Sequence, residues 1–268
     1  FSVIQTRFYT ESIFAARFCH KKNIPSIVIE HGTAHLMRGG VTGVLGNIYE
    51  HFAFWLIRKY SKEIYGVSKC CCQWLTHFGV NTDKVLYNAV EPIQLEKAIT
   101  EKAMRTVTAN IPPNIKTVIC FSGRFIPEKG VIPLVKAFNR LRQIHPATVL
   151  LMAGNGPLFE SVKALDTENV ILLGAVDYPT SLAVFKRSDI FCLPTFSEGF
   201  ATTVLEAAAL NTAILTTPTG GSPELIIDAN HGYLFDGMDE ETIYIALCKA
   251  VSDIIWCKTA SANAKLKL

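Results

Sequence analysis

The 268-residue sequence has no run of 18 uninterrupted apolar residues, so no membrane-spanning helix is expected. Residues 41–57 come nearest, and Glu50 and His51 break that stretch. No cysteine pair has C-x-x-C spacing, and Cys70, Cys71 and Cys72 are adjacent, which suits neither a disulfide framework nor a zinc site. The eight cysteines read instead as small core residues of a reduced, cytosolic protein. His-Glu-x-x-His and Asp-x-Asp patterns are absent, so no metal ligand set or cofactor is implied. Gly-x-Ser-x-Gly is absent too, which removes the usual serine-hydrolase signature. No stripe of interleaved basic and aromatic residues points to nucleic acid. Charged residues are scarce at 18%, against 49% hydrophobic, a balance that excludes a disordered chain.

Charge is unevenly spread. Residues 1–105 hold thirteen Lys and Arg against eight Asp and Glu, a net of +5; residues 106–268 hold thirteen against fifteen, a net of −2. With the aromatic cluster Phe52, Phe54 and Trp55, this suggests peripheral contact with an anionic membrane, against the alternative of an ordinary surface fluctuation. Phe1 opens directly on a strand-like run, so the chain reads as a fragment of a longer protein.

Short apolar runs alternate with helical stretches. Strands are expected at 2–6, 25–30, 63–67, 84–87, 117–122, 148–153, 170–173, 190–194 and 213–216. Helices are expected at 10–21, 43–60, 68–77 (with Ser68 as N-cap), 132–144, 158–165, 178–187, 201–210 and 240–255. Residues 91–115 are polar, carry Pro92, Pro112 and Pro113, and read as a linker. Two α/β units follow, 1–105 and 106–268, each a parallel sheet covered on both faces. In open parallel sheets ligands bind beyond the strand C-termini, and His31, Gly123, Arg124, Gly154, Gly174 and Glu198 all stand at such ends.

The most informative stretch runs from Glu198 through Gly199-Phe200-Ala201-Thr202-Thr203-Val204-Leu205 to Glu206. A strand, a glycine turn and a helix start aim free N–H groups at whatever lies above the strand end. Drawn as helix, the two glutamates would lie about 12 Å apart along the axis, enough to hold both ends of a diphosphate-linked ligand. The plainer alternatives are a dipole-complementing acid and a helix-face residue. Apolar neighbours Leu205, Ala207, Ala208 and Leu210 weigh against a solvated face for Glu206. A glycosidase pair is rejected, because two carboxylates on one turn-helix segment cannot flank a bond from opposite sides. Arg124 and Lys129, between Gly123 and Gly130, suit a diphosphate clamp or a solvated loop. Gly154-Asn155-Gly156 is only a partial dinucleotide fingerprint.

Taken together, Ser122-Gly123-Arg124 with Lys129-Gly130, Ala153-Gly154-Asn155-Gly156-Pro157, Leu172-Leu173-Gly174, Glu198-Gly199-Phe200 with Leu205-Glu206-Ala207, and Gly220-Gly221-Ser222-Pro223-Glu224 resemble the retaining glycosyltransferases of family four. The resemblance covers most of residues 117–255, and Ile29-Glu30-His31-Gly32 and Tyr87-Asn88-Ala89-Val90 extend it in outline to the first unit. It implies the GT-B fold, two Rossmann-like parallel-sheet domains facing a cleft, the N-terminal one incomplete before Phe1 and the last helix cut short at Leu268. Residues 1–105 would be the acceptor side and 106–268 the nucleotide-sugar side. Arg124 and Lys129 would hold the diphosphate beside the Gly123 turn, meeting the leaving charge without a metal. Glu198 would bind sugar hydroxyls; the N–H groups of Phe200, Ala201 and Thr202 would approach sugar and phosphate. Glu206 would bind the ribose, Val176 the base, and His31 would approach the reacting carbon. The implied donor is a UDP- or GDP-sugar, and the acceptor a saccharide or lipid-linked saccharide in surface polysaccharide or glycolipid synthesis. The implied place is the cytoplasm or the inner face of the membrane. A non-catalytic nucleotide-sugar-binding subunit and a nucleotide-sugar epimerase remain as alternatives. Asn211 departs from the family, standing where glycine is usual.

Overall fold

A computed structural model describes residues 1–6, 9–35, 39–165 and 168–268. They form two compact units. The first comprises Phe1–Asn88 with Ser197–Ala201 and Thr219–Gly221; the second comprises Ala89–Phe196, Thr202–Pro218 and Ser222–Leu268.

In the first unit the chain runs β1 (Ser2–Thr6), α1 (Tyr9–Lys21), β2 (Ser26–Glu30), α2 (Gly40–Tyr60), β3 (Glu63–Gly66) and α3 (Lys69–Thr76). The three strands are parallel in the order β1-β2-β3, with Ser2 opposite Ser26 and Ile27 opposite Glu63. Helical spacing decides which side chains reach the core: Tyr9, Ser12, Ala16 and Cys19 from α1, and Glu50, Ala53, Phe54 and Ile57 from α2. Phe54 packs between Tyr9, at 5.2 Å between ring centroids, and Phe78, stacked at 4.2 Å. Ser68 caps α3 by accepting from the Cys71 N–H at 3.1 Å, as the sequence predicts. The strand expected at 84–87 reduces to one parallel bridge between Gly66 and Val85. Leu86 and Tyr87 are exposed there, so no apolar burial extends the pairing.

The second unit contains α4 (Pro92–Ala98), α5 (Glu101–Ala109), β4 (Thr117–Ser122), a 3-10 turn at Pro127–Lys129, α6 (Val131–Ile144), β5 (Thr148–Ala153), α7 (Phe159–Lys163), β6 (Val170–Gly174), α8 (Tyr178–Arg187), β7 (Ile190–Leu193), α9 (Thr202–Ala209), β8 (Ala213–Thr216), α10 (Ser222–Leu225), β9 (Tyr233–Leu234), α11 (Glu240–Ser252) and α12 (Ile254–Leu266). Its sheet is parallel in the order β6-β5-β4-β7-β8-β9. Each residue of β4, β5, β7 and β8 is buried, which accounts for their near-continuous apolar runs. Strand order reverses at β4: the chain builds outward to β6, then returns to β7. In open parallel sheets such a switch point, here beyond the C-termini of β4 and β7, is where ligands bind.

Two further expectations change. The stretch 91–115 is largely helical, not a linker: Glu91 and Thr100 cap α4 and α5, and Pro92 sits at a first-turn position where its missing N–H costs nothing. Both helices lie in the second unit, including the part before residue 105. The final helix ends at Ser252, and Asp253 caps a further helix, α12, by accepting from the Trp256 N–H at 2.8 Å. Asn211 adopts φ 60°, a left-handed conformation that asparagine tolerates better than most residues, so the departure from glycine is accommodated.

Candidate functional site

In the second unit the turns after β4, β5 and β6 are stitched by backbone bonds. Gly123 N donates to Ala153 O at 3.0 Å, Phe125 N to Asn155 O at 2.9 Å, and Gly154 N to Gly174 O at 2.8 Å. The glycines here serve close approach of chain to chain. A Cβ on Gly154 would stand 1.8 Å from Gly123 O, and one on Gly156 2.6 Å from Phe125 O. Phe125 is fully buried and anchors the loop, while Arg124 beside it is exposed and Lys129 half-buried. Gly130 caps the start of α6 at φ 61°, and a Cβ there would stand 2.5 Å from Pro194 O. The N–H of Phe196 donates to Glu128 O at 2.8 Å, which ties the loop bearing Arg124 and Lys129 to the segment following β7. The two cations therefore project from a backbone fixed on both sides.

Glu206 lies in α9, only 8% exposed, among buried Val204, Leu205, Ala207, Ala208 and Ala209. Tyr178, in the first turn of α8, donates its hydroxyl to Glu206 Oε1 at 3.2 Å. A carboxylate offers about four acceptor sites, so most of its capacity is left for further donors. Burial raises the Glu206 carboxyl above its ordinary value, and the Tyr178 hydrogen bond offsets part of that rise. Beyond β6, Gly174 has φ 68° with open space where a Cβ would point, and Val176 is half-buried. Asp177 caps α8 by accepting from the Thr180 N–H at 3.0 Å.

In the first unit the Glu30 carboxylate, 1% exposed, braces the chain leaving β2, accepting from Gly32 N at 2.6 Å and Thr6 Oγ1 at 2.5 Å. His31 is half-buried at that turn. The segment 197–201 packs in this unit, held at three points. Thr33 Oγ1 donates to Glu198 O at 2.7 Å, Ser68 Oγ to Gly199 O at 2.9 Å, and Asn88 Nδ2 to Phe200 O at 2.9 Å. Gly199 is forced by space: a Cβ there would meet His31 O at 2.1 Å. Gly221 N also donates to Gly199 O, at 2.9 Å. The Glu198 main chain is thus fixed, and its half-buried carboxyl stands on the same unit as His31.

The residues singled out from sequence fall in two sets. Gly123, Arg124, Lys129, Val176, Thr202 and Glu206 stand on the second unit; His31, Glu198, Phe200 and Ala201 stand on the first. Phe200 and Ala201 are nearly buried, at 8% and 7%. Sequence alone did not single out Tyr178, Thr33 or Ser68 for this region, and it carried Asn88 only within a family segment. Ser222, quoted from sequence only within its family segment, has a hydroxyl buried without a hydrogen-bond partner among the described residues. Nothing in the local pattern marks Tyr178; its role emerges only when α8 and α9 are side by side.

A family profile described as "Glycosyl transferases group 1" matches residues 108–267. An uncharacterized glycosyltransferase of Methanocaldococcus jannaschii is 26% identical over 275 residues, covering 97% of this chain and 68% of the relative. A GDP-mannose-dependent alpha-(1-6)-phosphatidylinositol monomannoside mannosyltransferase of Mycolicibacterium smegmatis is 28% identical over 148 residues, 51% of this chain and 38% of the relative. Among solved structures, Anabaena HepE in complex with UDP superposes with a TM-score of 0.77 at 17% identity, covering 99% of this chain and 73% of that one. The fold is that of the GT-B glycosyltransferases.

Proposed function

The chain belongs to the glycosyl transferases group 1 family, and on that footing we propose that it transfers a hexose from a UDP- or GDP-linked donor to a saccharide or lipid-linked acceptor, with retention at the anomeric carbon. The observation that carries this reading is Glu206, a buried carboxylate with a single tyrosine hydroxyl as its described partner. Burial disfavours the ionised carboxylate until donors meet it, and a ribose supplies two hydroxyls. Residues 106–268, segment 197–201 included, carry the donor contacts, and residues 1–105 are the acceptor side. Arg124, Lys129 and the amides at the start of α9 meet the charge that grows on the pyrophosphate as the glycosidic bond breaks. Glu198 accepts from sugar hydroxyls, the amides of Phe200, Ala201 and Thr202 approach sugar and phosphate, Gly123 gives the turn beside the cations, and Val176 contacts the base. His31 stands near the reacting carbon. The acceptor oxygen attacks from the face the leaving group vacates, and its proton passes to the departing phosphate oxygen. No protein nucleophile is required.

Donor chemistry is supported from two directions: the mycobacterial relative is named for GDP-mannose, and the Anabaena neighbour holds UDP. The same relative is named for a phosphatidylinositol mannoside, which favours a lipid-linked acceptor and a place at the inner face of a membrane. The chain spans 68% of the archaeal relative and 38% of the mycobacterial one. Turnover is therefore tested on the full-length protein, with a panel of UDP- and GDP-sugars and lipid-linked acceptors. Glycosylated product that disappears in Glu206→Gln supports the reading. Donor binding without product under any acceptor identifies a binding subunit instead, and isomerised donor without acceptor identifies an epimerase.

A further inference from the structure

Helix α2 is apolar on two opposite sides. Ala53, Phe54 and Ile57 face the sheet of the first unit and are fully buried. On the other side, Val41, Val44, Leu45, Ile48, Phe52 and Trp55 are each more than half exposed. At helical spacing these six fall within an arc of about 100°, a continuous stripe about 21 Å long. Phe54, grouped by sequence with Phe52 and Trp55, belongs to the core and not to this stripe. Helix α1 lies alongside, with the Tyr9 and Phe54 rings 5.2 Å apart and those of His20 and Tyr60 5.6 Å apart. It adds Phe14 and Phe18, also more than half exposed. An apolar face of this extent on one layer marks a surface that meets another apolar phase.

Charge indicates which one. Arg17 and Lys21 share the outward face of α1 with the two phenylalanines. The contact of His20 with Tyr60 brings the C-terminal ends of both helices together, so Lys21, Lys22 and Lys59, all exposed, gather at one end of the stripe. Aromatics occupy that same end: Phe52 and Trp55 stack at 5.9 Å, and Lys59 Nζ lies 6.0 Å from the Trp55 ring. On α1 and α2 the one exposed acid among the described residues is Glu11; Glu50 is buried and bonded to His35. Anionic headgroups over an acyl interior satisfy both features at once: cations snorkel to the phosphates while aliphatic and aromatic side chains enter beneath them.

We infer that the outer face of α1 and α2 docks on an anionic lipid bilayer. The inference does not depend on the transferase reading, since docking is measured without donor or turnover. The full chain is sedimented with vesicles of phosphatidylcholine containing about 30% phosphatidylglycerol at low salt, and with pure phosphatidylcholine. Binding to the anionic vesicles is expected to be at least about ten-fold tighter, and to fall about ten-fold in Phe52→Ser/Trp55→Ser and in Lys21→Glu/Lys59→Glu. All four positions are exposed, so the variants should melt with wild type. Absence of pelleting, variants that pellet like wild type, or a lipid-free dimer that both variants disperse would each overturn the inference, the last by identifying a second copy as the occupant.

Discussion

Glu206 joins two properties that rarely coexist, a carboxyl group and an almost closed apolar environment. Burial raises its pKa, so the folded state favours the protonated form. The stabilising contribution is then fully present below the unfolded carboxyl pKa and lost as pH rises through the raised folded value. Two outcomes follow. Ligand-free Glu206→Gln should melt at or above wild type near neutral pH, with the difference fading in acid, as scanning calorimetry reads out. Its affinity for UDP or GDP should fall about ten- to a hundred-fold, corresponding to about 1.5–3 kcal/mol for hydrogen bonds to a charged group. Wild-type affinity should itself weaken as pH drops through the Glu206 value. Tyr178→Phe removes the hydrogen bond that lowers that value, so this limb should move to higher pH in titration calorimetry. Glu206 was legible because its neighbours in sequence are apolar. Tyr178, 28 positions away, was not, since hydroxyl-to-carboxylate pairing across two helices leaves no periodic trace.

At the scale of elements, α2 offers a contrast between its faces. Phe54→Ala should cost about 3–5 kcal/mol in urea unfolding, because it empties a site enclosed by Tyr9 and Phe78. Phe52→Ser, on the same helix but 53% exposed, should stay within about 0.5 kcal/mol. The buried strands were legible almost to the residue: β4, β5 and β8 carry unbroken apolar runs bounded by turn residues. Helices α4, α5 and α12 were hidden for a common reason. Their buried faces are thin: Leu95 alone in α4, Ala103 and Val107 in α5, and Cys257, Ala260, Ser261 and Ala264 in α12. Small or isolated apolar residues mark a buried face poorly, while caps at Glu91, Thr100 and Asp253 were the stronger signal.

For the whole molecule, the family motifs located the strand ends of the second unit, because they sit on turns whose order the fold fixes. They said less about the first unit, where segment 197–201 joins residues more than a hundred positions away through Thr33, Ser68 and Asn88. Hydrogen exchange with a nucleoside diphosphate should show protection concentrated at 123–130 and 202–210; protection spread evenly would speak against those segments as the binding elements. One consequence of the first sheet concerns how the chain behaves in company. Among the described residues β1 bonds to β2 on one side, so its far side is an open edge of main-chain donors and acceptors, with Phe1 and Val3 exposed along it. Such an edge is a template for an incoming strand. Concentrated samples of residues 1–268 alone should therefore scatter light increasingly with time, and Val3→Lys, a gatekeeper charge on that rim, should keep them clear.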